Sequence, residues 1–554
     1  MQTGAQNLFT VIIGGKAGQG VKKAGSAVAA MMSSLGRFVF QMDDYQSLIR
    51  GGHNFSAVSS DVEPLTSHHL RANLVLAFDR RSYELHRAHV APGGLLVGDL
   101  EAIPPGEGIA LPLLAEAHKH PQPDLRLGVA APAVLAAALG WSSEQLRELV
   151  AREYRRDQEI NLAYAQAIYE AAWPHLSGRF SLATGQAKGK LIYGNEAIGL
   201  GAIAAGLDLY FAYPMTPSSS LLHFLASTGR EFGVVALHVE SELAAANMAV
   251  GATFAGARAM AGTSGGGFAL MAEAFSLAGM MEAPVLFLLS SRSGPSTGVP
   301  TYTEQGDLYF ALHQGHGEFP RIVASPGSIA EGFYLASELL SLAWQFQSPA
   351  ILLADKHFSE SASTVHLEPE RAAWPQPLAH ADGPYKRYLD TESGVSPLLH
   401  PPAEAVIKWN SYEHDELGIT TDEAEMVARM HEKRLRKAES IRRHLQGRHT
   451  VNVYGNGGRV IFAYGSTTMS VLEALRVSGL EATLVQPIYL EPLPTWALAA
   501  YAGSDPIVVE QSASGQFARL LEERAGIRSR RHIRRYDGRP FEPSELASQI
   551  QRLL

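Results

Sequence analysis

Short apolar runs alternate with longer alanine-rich stretches along most of this 554-residue chain. A short apolar run between turn-forming residues is typical of a buried strand, and a longer amphipathic stretch is typical of a helix. The strands predicted in this way are 8–13, 73–78, 94–97, 234–239, 257–261, 285–289, 321–324, 350–353, 459–464, 482–487 and 507–510. The predicted helices are 24–35, 129–139, 195–206, 241–254, 267–280, 328–345 and 421–445. Strands that alternate with helices favour an α/β fold built on parallel sheets.

Two shifts in the pattern divide the chain into α/β domains. The segment 177–190 is small and polar without an apolar period, which predicts a linker. Residues 361–450 are rich in proline and end in a charged helix, whose charges we expect to form a solvated face. The predicted boundaries are therefore 1–178, 190–370, a connecting segment 371–450, and 451–554.

Composition excludes several classes of protein. The net charge of −9 argues against nucleic acid as the main partner. No stretch approaches the roughly 18 uninterrupted apolar residues of a membrane span, and no signal peptide is recognisable, so a cytoplasmic protein is expected. The chain has 0 cysteines, which excludes disulfides, cysteine-ligated zinc and an iron–sulfur cluster held by this chain alone.

Two motifs in the first domain are candidates for ligand contact. Gly14–Gly20, GGKAGQG, follows a predicted strand and precedes a helix, so its backbone N–H groups could hold an anion. Its spacing matches neither the dinucleotide fingerprint nor the P-loop, and a tight turn that needs glycine is an equal alternative. RGGHNF, with Arg50 and His53, suits an exposed functional loop or an ordinary turn.

Hydroxyl groups and an arginine are concentrated in two segments of the second domain. FAYPMTPSSS places Thr216 between two prolines and sets three serines at a predicted helix start, a pattern that suits a carboxylate ligand or simple helix capping. SSRSGPSTG follows the predicted strand 285–289 and offers Arg292 and Thr297. An arginine fork in a loop at the carboxyl edge of a parallel sheet favours a carboxylate site over a mobile crossover.

Two acids, Glu240 and Glu242, lie where a predicted strand meets an alanine-rich helix, with Ser241 as the expected N-cap. An acid at this position can simply complement the helix dipole. Alternatively, the carboxyl could be buried among small residues. Burial would then disfavour its charged form and allow it to share a proton. The periodicity does not separate the two interpretations.

No pair of histidines is accompanied by a carboxylate residue at the spacing of a metal site, so no metal is expected on this chain. The segment 528–535, RSRRHIRR, has five arginines and could meet phosphates or an acidic protein, although a charged surface strand or turn is at least as good an interpretation.

Taken together, the motifs resemble the 2-oxoacid:ferredoxin oxidoreductase family. YPMTPSS, ESELAAANMAVGA, TSGGGFALM and SRSGPSTGVPT are similar to its α subunit, and VIIGGKAGQGVKKAG with RGGHNF is similar to its γ subunit, here fused at the N-terminus. The resemblance covers nearly the whole chain, and the motifs occur in the family's order. The fused arrangement is most similar to that of the 2-oxoglutarate enzymes. The resemblance implies three α/β domains: a γ-type domain, a thiamine pyrimidine-binding domain and a transketolase C-terminal-like domain.

The resemblance also implies an activity and roles for individual residues. Enzymes of this family use thiamine diphosphate and coenzyme A to convert a 2-oxoacid to an acyl-CoA and CO2, or the reverse, and exchange electrons with ferredoxin. In the family, the glutamate that contacts the aminopyrimidine ring of thiamine diphosphate lies nine positions before a glycine. Glu242 lies nine positions before Gly251 and is assigned this role, with Glu240 as the second candidate. The remaining roles fall to Tyr213 and Pro214 (cofactor), Thr216, Ser219, Arg292 and Thr297 (substrate), and Arg50 and His53 (coenzyme A or an interface).

The family's other essential parts are missing from this sequence. It contains no Gly-Asp-Gly motif for a Mg²⁺-bound diphosphate and no cysteine for a 4Fe–4S cluster. The resemblance therefore implies a β subunit that carries both, an active site shared with it, and an (αβ)2 assembly. 2-Oxoglutarate is the expected substrate; pyruvate, branched-chain 2-oxoacids and indolepyruvate stay open, as do a non-catalytic assembly subunit and a simple thiamine decarboxylase.

Overall fold

The computed structural model describes residues 7–47 and 51–554 and divides into two compact units. The first unit comprises the described residues up to Ile192 together with Ser361–His366 and Glu542–Ser544. The second unit comprises Tyr193–Glu360, Leu367–Phe541 and Glu545–Leu554. No helix in the described ranges is both long and apolar enough to cross a membrane.

Twenty strands and nineteen α-helices make up the described parts of the chain. The strands are β1 Phe9–Lys16, β2 Phe38–Asp44, β3 His53–Asp61, β4 Ala72–Ala77, β5 Val90–Asp99, β6 Ile109–Leu111, β7 Lys190–Tyr193, β8 Leu209–Ala212, β9 Val235–His238, β10 Ala259–Thr263, β11 Leu286–Ser291, β12 Ile322–Ala324, β13 Ala350–Asp355, β14 Ala362–Val365, β15 Val451–Tyr454, β16 Arg459–Phe462, β17 Ala482–Pro487, β18 Tyr489–Glu491, β19 Ile507–Glu510 and β20 Arg531–Arg534. The helices are α1 Val21–Ser34, α2 Arg80–His86, α3 Leu113–Ala117, α4 Pro123–Leu139, α5 Ser143–Glu153, α6 Gln158–Leu176, α7 Gly194–Ala204, α8 Ser219–Phe232, α9 Glu242–Phe254, α10 Gly265–Leu270, α11 Ala272–Met281, α12 Leu308–His313, α13 Ile329–Phe346, α14 Lys356–Glu360, α15 Ala424–Gln446, α16 Ser466–Ser478, α17 Thr495–Leu498, α18 Gln516–Ala525 and α19 Pro543–Gln551.

The first unit is built on an eight-stranded mixed sheet, in the order β6-β5-β4-β1-β3-β2-β14-β7. The expectation of a wholly parallel sheet is wrong here, because β3 runs antiparallel to both β1 and β2. The sequence pattern did not predict β2 or β3, since polar residues interrupt both strands. Helix α1 packs on the sheet, and α4 packs against α1 and α6. Buried side chains of these three helices and of the sheet form one hydrophobic core.

The second unit contains a seven-stranded sheet in the order β18-β12-β13-β11-β10-β8-β9. All pairings from β12 through β9 are parallel, as the pattern predicted, and only β18 is antiparallel. A helix predicted over 267–280 is in fact two helices, α10 and α11, that meet at Met271. Parallel strands bring their carboxyl ends to one edge of the sheet, and that edge carries the site described below.

The same unit contains a five-stranded sheet in the order β15-β17-β16-β19-β20. Its β16, β17 and β19 match the predicted strands within two residues at each end. Side chains from this sheet, including Phe462, Val485 and Val508, share one hydrophobic cluster with Phe268 and Phe287 of the seven-stranded part. The two sheets therefore belong to one compact unit.

The charged helix α15 does not present all of its charges to solvent, so that part of the prediction is wrong. Lys433 and Lys437 are buried, and both ammonium groups contact the buried carboxylate of Glu282. Lys433 Nζ donates to Glu282 Oε1 at 2.7 Å, and Lys437 Nζ donates to the Gln347 carbonyl at 2.8 Å. The guanidinium of Arg387 donates to the Glu282 carbonyl oxygen at 3.0 Å.

Candidate functional site

Three neighbouring strands of the seven-stranded sheet end in the segments that carry the predicted site. The carboxyl end of β8 leads into Tyr213–Ser219, that of β10 into the glycines at the start of α10, and that of β11 into Arg292. Because β8, β10 and β11 are parallel and adjacent, these three segments meet at one edge.

Glu242 begins helix α9 and is only 3% exposed. Ser241 is its N-cap, as predicted: Ser241 Oγ accepts a hydrogen bond from the Ala244 backbone N–H at 3.2 Å. Glu240 is exposed, so burial distinguishes the two acids, which the sequence pattern did not. Glu242 Oε1 is buried, and no hydrogen-bond partner for it exists in the described part of the chain. A buried acceptor without a partner is costly, so this oxygen is a candidate acceptor for a hydrogen bond from a ligand.

Glycine at position 267 allows Glu242 to occupy its place. A Cβ built on Gly267 would lie 2.1 Å from Thr263 Oγ1 and 2.6 Å from both Cγ and Oε1 of Glu242. Any larger residue at 267 would push the acid away. This contact was not predicted from the sequence, although the three consecutive glycines 265–267 at the helix start were a signal for it.

In the segment after β8, fewer hydroxyl groups are available to a ligand than the sequence predicted. Ser218 Oγ donates to the Met215 carbonyl at 2.8 Å, and Ser220 Oγ accepts from Asn195 at 2.7 Å. These two serines are structural, which corrects the expectation of four available hydroxyls. Thr216 and Ser219 are half-buried, and neither hydroxyl is hydrogen-bonded to another residue in the ranges 7–47 and 51–554. Tyr213, 41% exposed, packs edge-on against the ring of His238, and Pro214 beside it is half-buried.

Arg292 is brought next to Thr216 from 76 residues away. Its Nη1 donates to the Thr216 carbonyl oxygen at 2.9 Å, so the arginine ties the ends of β11 and β8 together. Burial lowers the pKa of the Arg292 guanidinium, and the nearby Asp307 carboxylate opposes that shift. The arginine remains a cation at the same edge as Glu242, a suitable partner for a carboxylate.

Thr297 lies at the exposed tip of the loop that follows Arg292. This loop folds back on itself, since the Val299 N–H donates to the Ser293 carbonyl at 3.0 Å. Gly298 has φ 52°, and a Cβ there would fall 1.9 Å from the Ser293 oxygen, so the turn requires glycine. Thr297 makes no hydrogen bond with another described residue, and its role stays a prediction.

Two acids that were not predicted from the sequence, Glu304 and Asp307, follow this loop. Burial raises the pKa of Asp307, against the opposing effect of Arg292. Burial also raises the pKa of Glu304, and the neighbouring Asp307 adds to that shift. Nothing in the local sequence marks these two residues, because their positions depend on how the loop folds against α10.

The expectation that RGGHNF forms an exposed loop is wrong for His53. His53 begins strand β3, is 7% exposed, and its Nε2 lies 2.8 Å from His86 Nε2. Burial lowers the pKa of His53, and burial with the two neighbouring histidines lowers that of His86 to about 3. Arg50 lies outside the described residues.

The polar groups at this edge of the sheet are one buried carboxyl, one arginine and a few hydroxyl groups. Across the described ranges, no group of three or more histidine, aspartate or glutamate residues could hold a metal ion. A lone buried carboxyl oxygen, bordered by glycine, fits one hydrogen bond from a ring nitrogen. Several apolar side chains are exposed on α9 and on two neighbouring elements: Leu243 and Met248 on α9, Leu270 on α10, and Val235 and Leu237 on β9. Exposed apolar residues are common at surfaces that bind another protein when they form a contiguous patch.

Comparison with known proteins agrees with this geometry. Residues 200–433 match the family model described as pyruvate flavodoxin/ferredoxin oxidoreductase, thiamine diphosphate-binding, and residues 10–171 match the model described as pyruvate ferredoxin/flavodoxin oxidoreductase. The class is thus a thiamine diphosphate-binding oxidoreductase subunit. The chain belongs to the 2-oxoacid:ferredoxin oxidoreductase family.

Individual relatives resemble the chain over most of its length. The α subunit of 2-oxoacid:ferredoxin oxidoreductase 2 from Aeropyrum pernix is 30% identical, over 99% of this chain and 98% of that one. The 2-oxoglutarate synthase subunit KorA from Archaeoglobus fulgidus is 32% identical, over 60% of this chain and 90% of that one. A solved 2-oxoglutarate:ferredoxin oxidoreductase from Magnetococcus marinus, with 2-oxoglutarate, coenzyme A and succinyl-CoA bound, superimposes with a TM-score of 0.89 at 28% identity, covering 99% of each chain.

Proposed function

We propose that this chain is the γ-fused α subunit of a 2-oxoglutarate:ferredoxin oxidoreductase. In the oxidative direction the enzyme converts 2-oxoglutarate and coenzyme A to succinyl-CoA and CO2 and passes electrons to ferredoxin; the reverse direction would serve a reductive tricarboxylic acid cycle. The names of the Archaeoglobus and Magnetococcus proteins support 2-oxoglutarate as the substrate.

The observation that carries the proposal is the buried, unpartnered carboxyl of Glu242. Thiamine diphosphate, when bound, supplies a nucleophilic carbon that attacks the 2-oxo group. Glu242 would accept a hydrogen bond from, and share a proton with, the pyrimidine ring nitrogen N1′. Glu242 is 3% exposed and its Oε1 has no partner among the described residues, so a ring nitrogen placed there would not compete with water for this oxygen.

The other residues at the sheet edge would orient the cofactor and the substrate. Tyr213 and Pro214 lie beside the cofactor half-site in this proposal. Arg292 provides the fork for the 2-oxoacid carboxylate, and the Thr216 and Ser219 hydroxyls provide donors. Thr297 is assigned to the substrate from the family motif, and His53 and Arg50 to coenzyme A or an interface.

The parts that this chain lacks would be supplied by a β subunit. A sequence without Gly-Asp-Gly and without cysteine supports placing the Mg²⁺-bound diphosphate and the 4Fe–4S cluster on that subunit. The apolar side chains exposed on α9, α10 and β9 would then be covered by it. We propose an (αβ)2 heterotetramer in the cytoplasm, with the domain boundaries predicted from the sequence.

Purification of the native complex tests the proposal. The complex should contain thiamine, show an iron–sulfur absorbance band only when the partner is present, and reduce ferredoxin with 2-oxoglutarate and coenzyme A. Pyruvate, a branched-chain 2-oxoacid and indolepyruvate are the competing substrates, and a preference for one of them by orders of magnitude would overturn the substrate assignment. Glu242→Gln should abolish turnover, whereas Glu240→Gln, at the exposed neighbouring acid, should not. Full activity of Glu242→Gln would support the assembly-subunit alternative instead.

A further inference from the structure

The loop that carries Arg292 and Thr297 is joined to itself at its base. This loop, residues 292–303, is called the β11 loop below. The Ser293 N–H donates to the Tyr302 carbonyl at 3.3 Å, so the two ends of the loop meet, while its tip is exposed. The position of the loop therefore depends on what holds its base.

The segment 535–541, which follows β20, contacts both ends of the β11 loop. The Thr303 N–H donates to the Gly538 carbonyl at 3.1 Å. The Gly538 backbone approaches so closely that a Cβ built on it would lie 3.0 Å from Tyr302 Cβ and 3.3 Å from Ser293 Oγ. Gly538 also has φ 80°, a backbone conformation that favours glycine. The segment therefore packs against the base of the loop.

The guanidinium of Arg539 lies over the ring of Tyr302. The distance from Arg539 Cζ to the ring centroid is 3.8 Å, well within the roughly 6 Å at which a cation over an aromatic face is attracted to it. Arg539 is exposed, and within the described ranges no carboxylate forms an ion pair with it. The ring of Tyr302 is therefore the contact that places this guanidinium.

The backbone of Arg539 is fixed independently of Tyr302. Its N–H donates to the Asp537 carboxylate at 2.9 Å, and its carbonyl accepts a hydrogen bond from Gln511 Nε2 at 2.8 Å. Gln511 directly follows β19 and is buried. Because its backbone is tied to the five-stranded sheet region, Arg539 can hold Tyr302 in place instead of moving with it.

We propose that Arg539 is a positioning residue for the candidate site: its guanidinium, stacked on Tyr302, holds the β11 loop where Arg292 and Thr297 face the substrate. Arg539 takes no part in the chemistry. Without the stack, substrate binding would also have to order the loop, which lowers affinity. This inference rests on the proposed function, in which Arg292 and Thr297 receive the 2-oxoacid.

Steady-state kinetics of the complex test the effect on affinity. Arg539→Gln should raise the KM for 2-oxoglutarate about two- to fivefold, the factor that corresponds to one exposed cation–π contact, and leave kcat near the wild-type value. Arg539→Lys keeps a cation over the ring and should restore most of the affinity. A fall in kcat with an unchanged KM would overturn the inference.

Arg371→Gln is the matched control for this substitution. Arg371 is also an exposed arginine over a tyrosine ring of the second unit, 5.3 Å from the centroid of Tyr334, but it lies outside the β11 loop and the segment that holds it. Its KM for 2-oxoglutarate should stay at the wild-type value. An equal rise in KM for Arg371→Gln would overturn the specific role of Arg539.

Hydrogen–deuterium exchange of the same complexes measures the loop directly. Peptides that cover 293–303 should exchange faster in Arg539→Gln than in the wild type, whereas peptides that cover β11 should exchange at the same rate. Unchanged exchange of the loop would overturn the inference even with a raised KM, because Arg539 would then not act by holding the loop. Faster exchange with an unchanged KM would overturn it as well.

Tyr302→Leu tests the same contact from the other side, and it serves if Arg539→Gln cannot be purified. It should raise the KM and the exchange of the loop in the same way, and the double variant should have no higher KM than Tyr302→Leu alone. Effects that multiply would show that the two residues do not act as a pair and would overturn the inference. Any of these failures in a complex that oxidises 2-oxoglutarate leaves the proposed function intact. A wild-type complex that turns over no 2-oxoacid would overturn the proposed function itself, and this inference with it.

Discussion

Glu242 and Gly267 occupy a space that two ordinary side chains could not share. The Glu242 carboxyl fills the volume where a Cβ of residue 267 would stand, 2.6 Å from Oε1. Glu242 begins α9 and Gly267 lies in the first turn of α10, so the contact fixes two helix starts against each other. The position of the proposed catalytic carboxyl therefore depends on the absence of a side chain opposite it.

Gly267→Ala should displace this carboxyl and impair thiamine-dependent turnover. The added methyl group overlaps both Glu242 and Thr263, and overpacking of this kind costs about 1–3 kcal/mol when the neighbours must shift. Gly266→Ala is the matched control, because a Cβ on Gly266 meets its nearest atom, the Ser296 oxygen, only at 4.0 Å. Thiamine content and turnover of both variants in the complex are the measurements. Equal loss in the two variants would contradict the steric argument.

Arg292→Lys should raise the KM for the 2-oxoacid more than it lowers kcat. Lysine keeps the charge but loses the planar fork and the bond to the Thr216 carbonyl. Loss of a hydrogen bond to a charged group costs about 1.5–3 kcal/mol, which corresponds to about a 10- to 150-fold rise in KM. Steady-state kinetics with the substrate varied at saturating coenzyme A measure this.

Arg258→Lys provides the comparison for that substitution. Arg258 precedes β10, at the amino end of the strand, and pairs with Asp208 at 3.2 Å. Its replacement should leave the KM for the 2-oxoacid near the wild-type value. A rise in KM of similar size for Arg258→Lys would show that the effect of Arg292→Lys is not specific to the site.

Glu282→Gln should destabilise the second unit strongly. The substitution leaves the ammonium groups of Lys433 and Lys437 without their buried counter-charge and removes the carboxylate that the Arg387 guanidinium acts on electrostatically. Removal of one partner of a buried ion pair costs about 3–5 kcal/mol. Urea unfolding monitored by circular dichroism should show an earlier transition than in the wild type.

Glu439→Gln, on the same helix as the two lysines, is the control for this effect. Glu439 pairs with Arg442 at 2.8 Å on the exposed side of α15. Exposed pairs of this kind contribute about 0–1 kcal/mol, so its unfolding transition should stay close to the wild type. A similar shift in both variants would contradict the importance of the buried cluster.

The stability of the protein should fall as pH drops below about 6.5, the ordinary pKa of histidine, and His357 should account for part of this. Burial, with Lys356 adding to it, lowers the pKa of the fully buried His357 to about 3. Between these values the unfolded chain binds a proton at His357 and the folded chain does not, so the unfolded state gains about 1.4 kcal/mol per pH unit. His357→Gln should reduce the slope of unfolding free energy against pH by up to one proton. Denaturant titrations of the two proteins at several pH values measure this slope, and parallel curves would contradict the assignment.

Local patterns along the chain were enough to predict most strands of the parallel sheet regions and one helix cap. Apolar runs fixed the strands of the two parallel sheet regions, because a strand buried on both faces needs an unbroken apolar stretch. Ser241 was predicted as a helix cap from local hydrogen bonding alone, and the structure confirms it. Strands interrupted by polar residues, β2 and β3, were not predicted, and neither was the antiparallel pairing that they introduce.

Contacts between residues far apart in the chain could not be predicted from these local patterns. Burial selects Glu242 over Glu240, since α10 covers one acid and leaves the other exposed. The bond from Arg292 to Thr216 spans 76 residues, and the ion pair of Lys433 with Glu282 spans 151. The local sequence around a charged residue does not show whether its side chain is exposed to water or buried against an opposite charge. Which of the two it meets depends on the packing of elements far apart in the chain, because desolvation and pairing are properties of the folded environment and not of the residue.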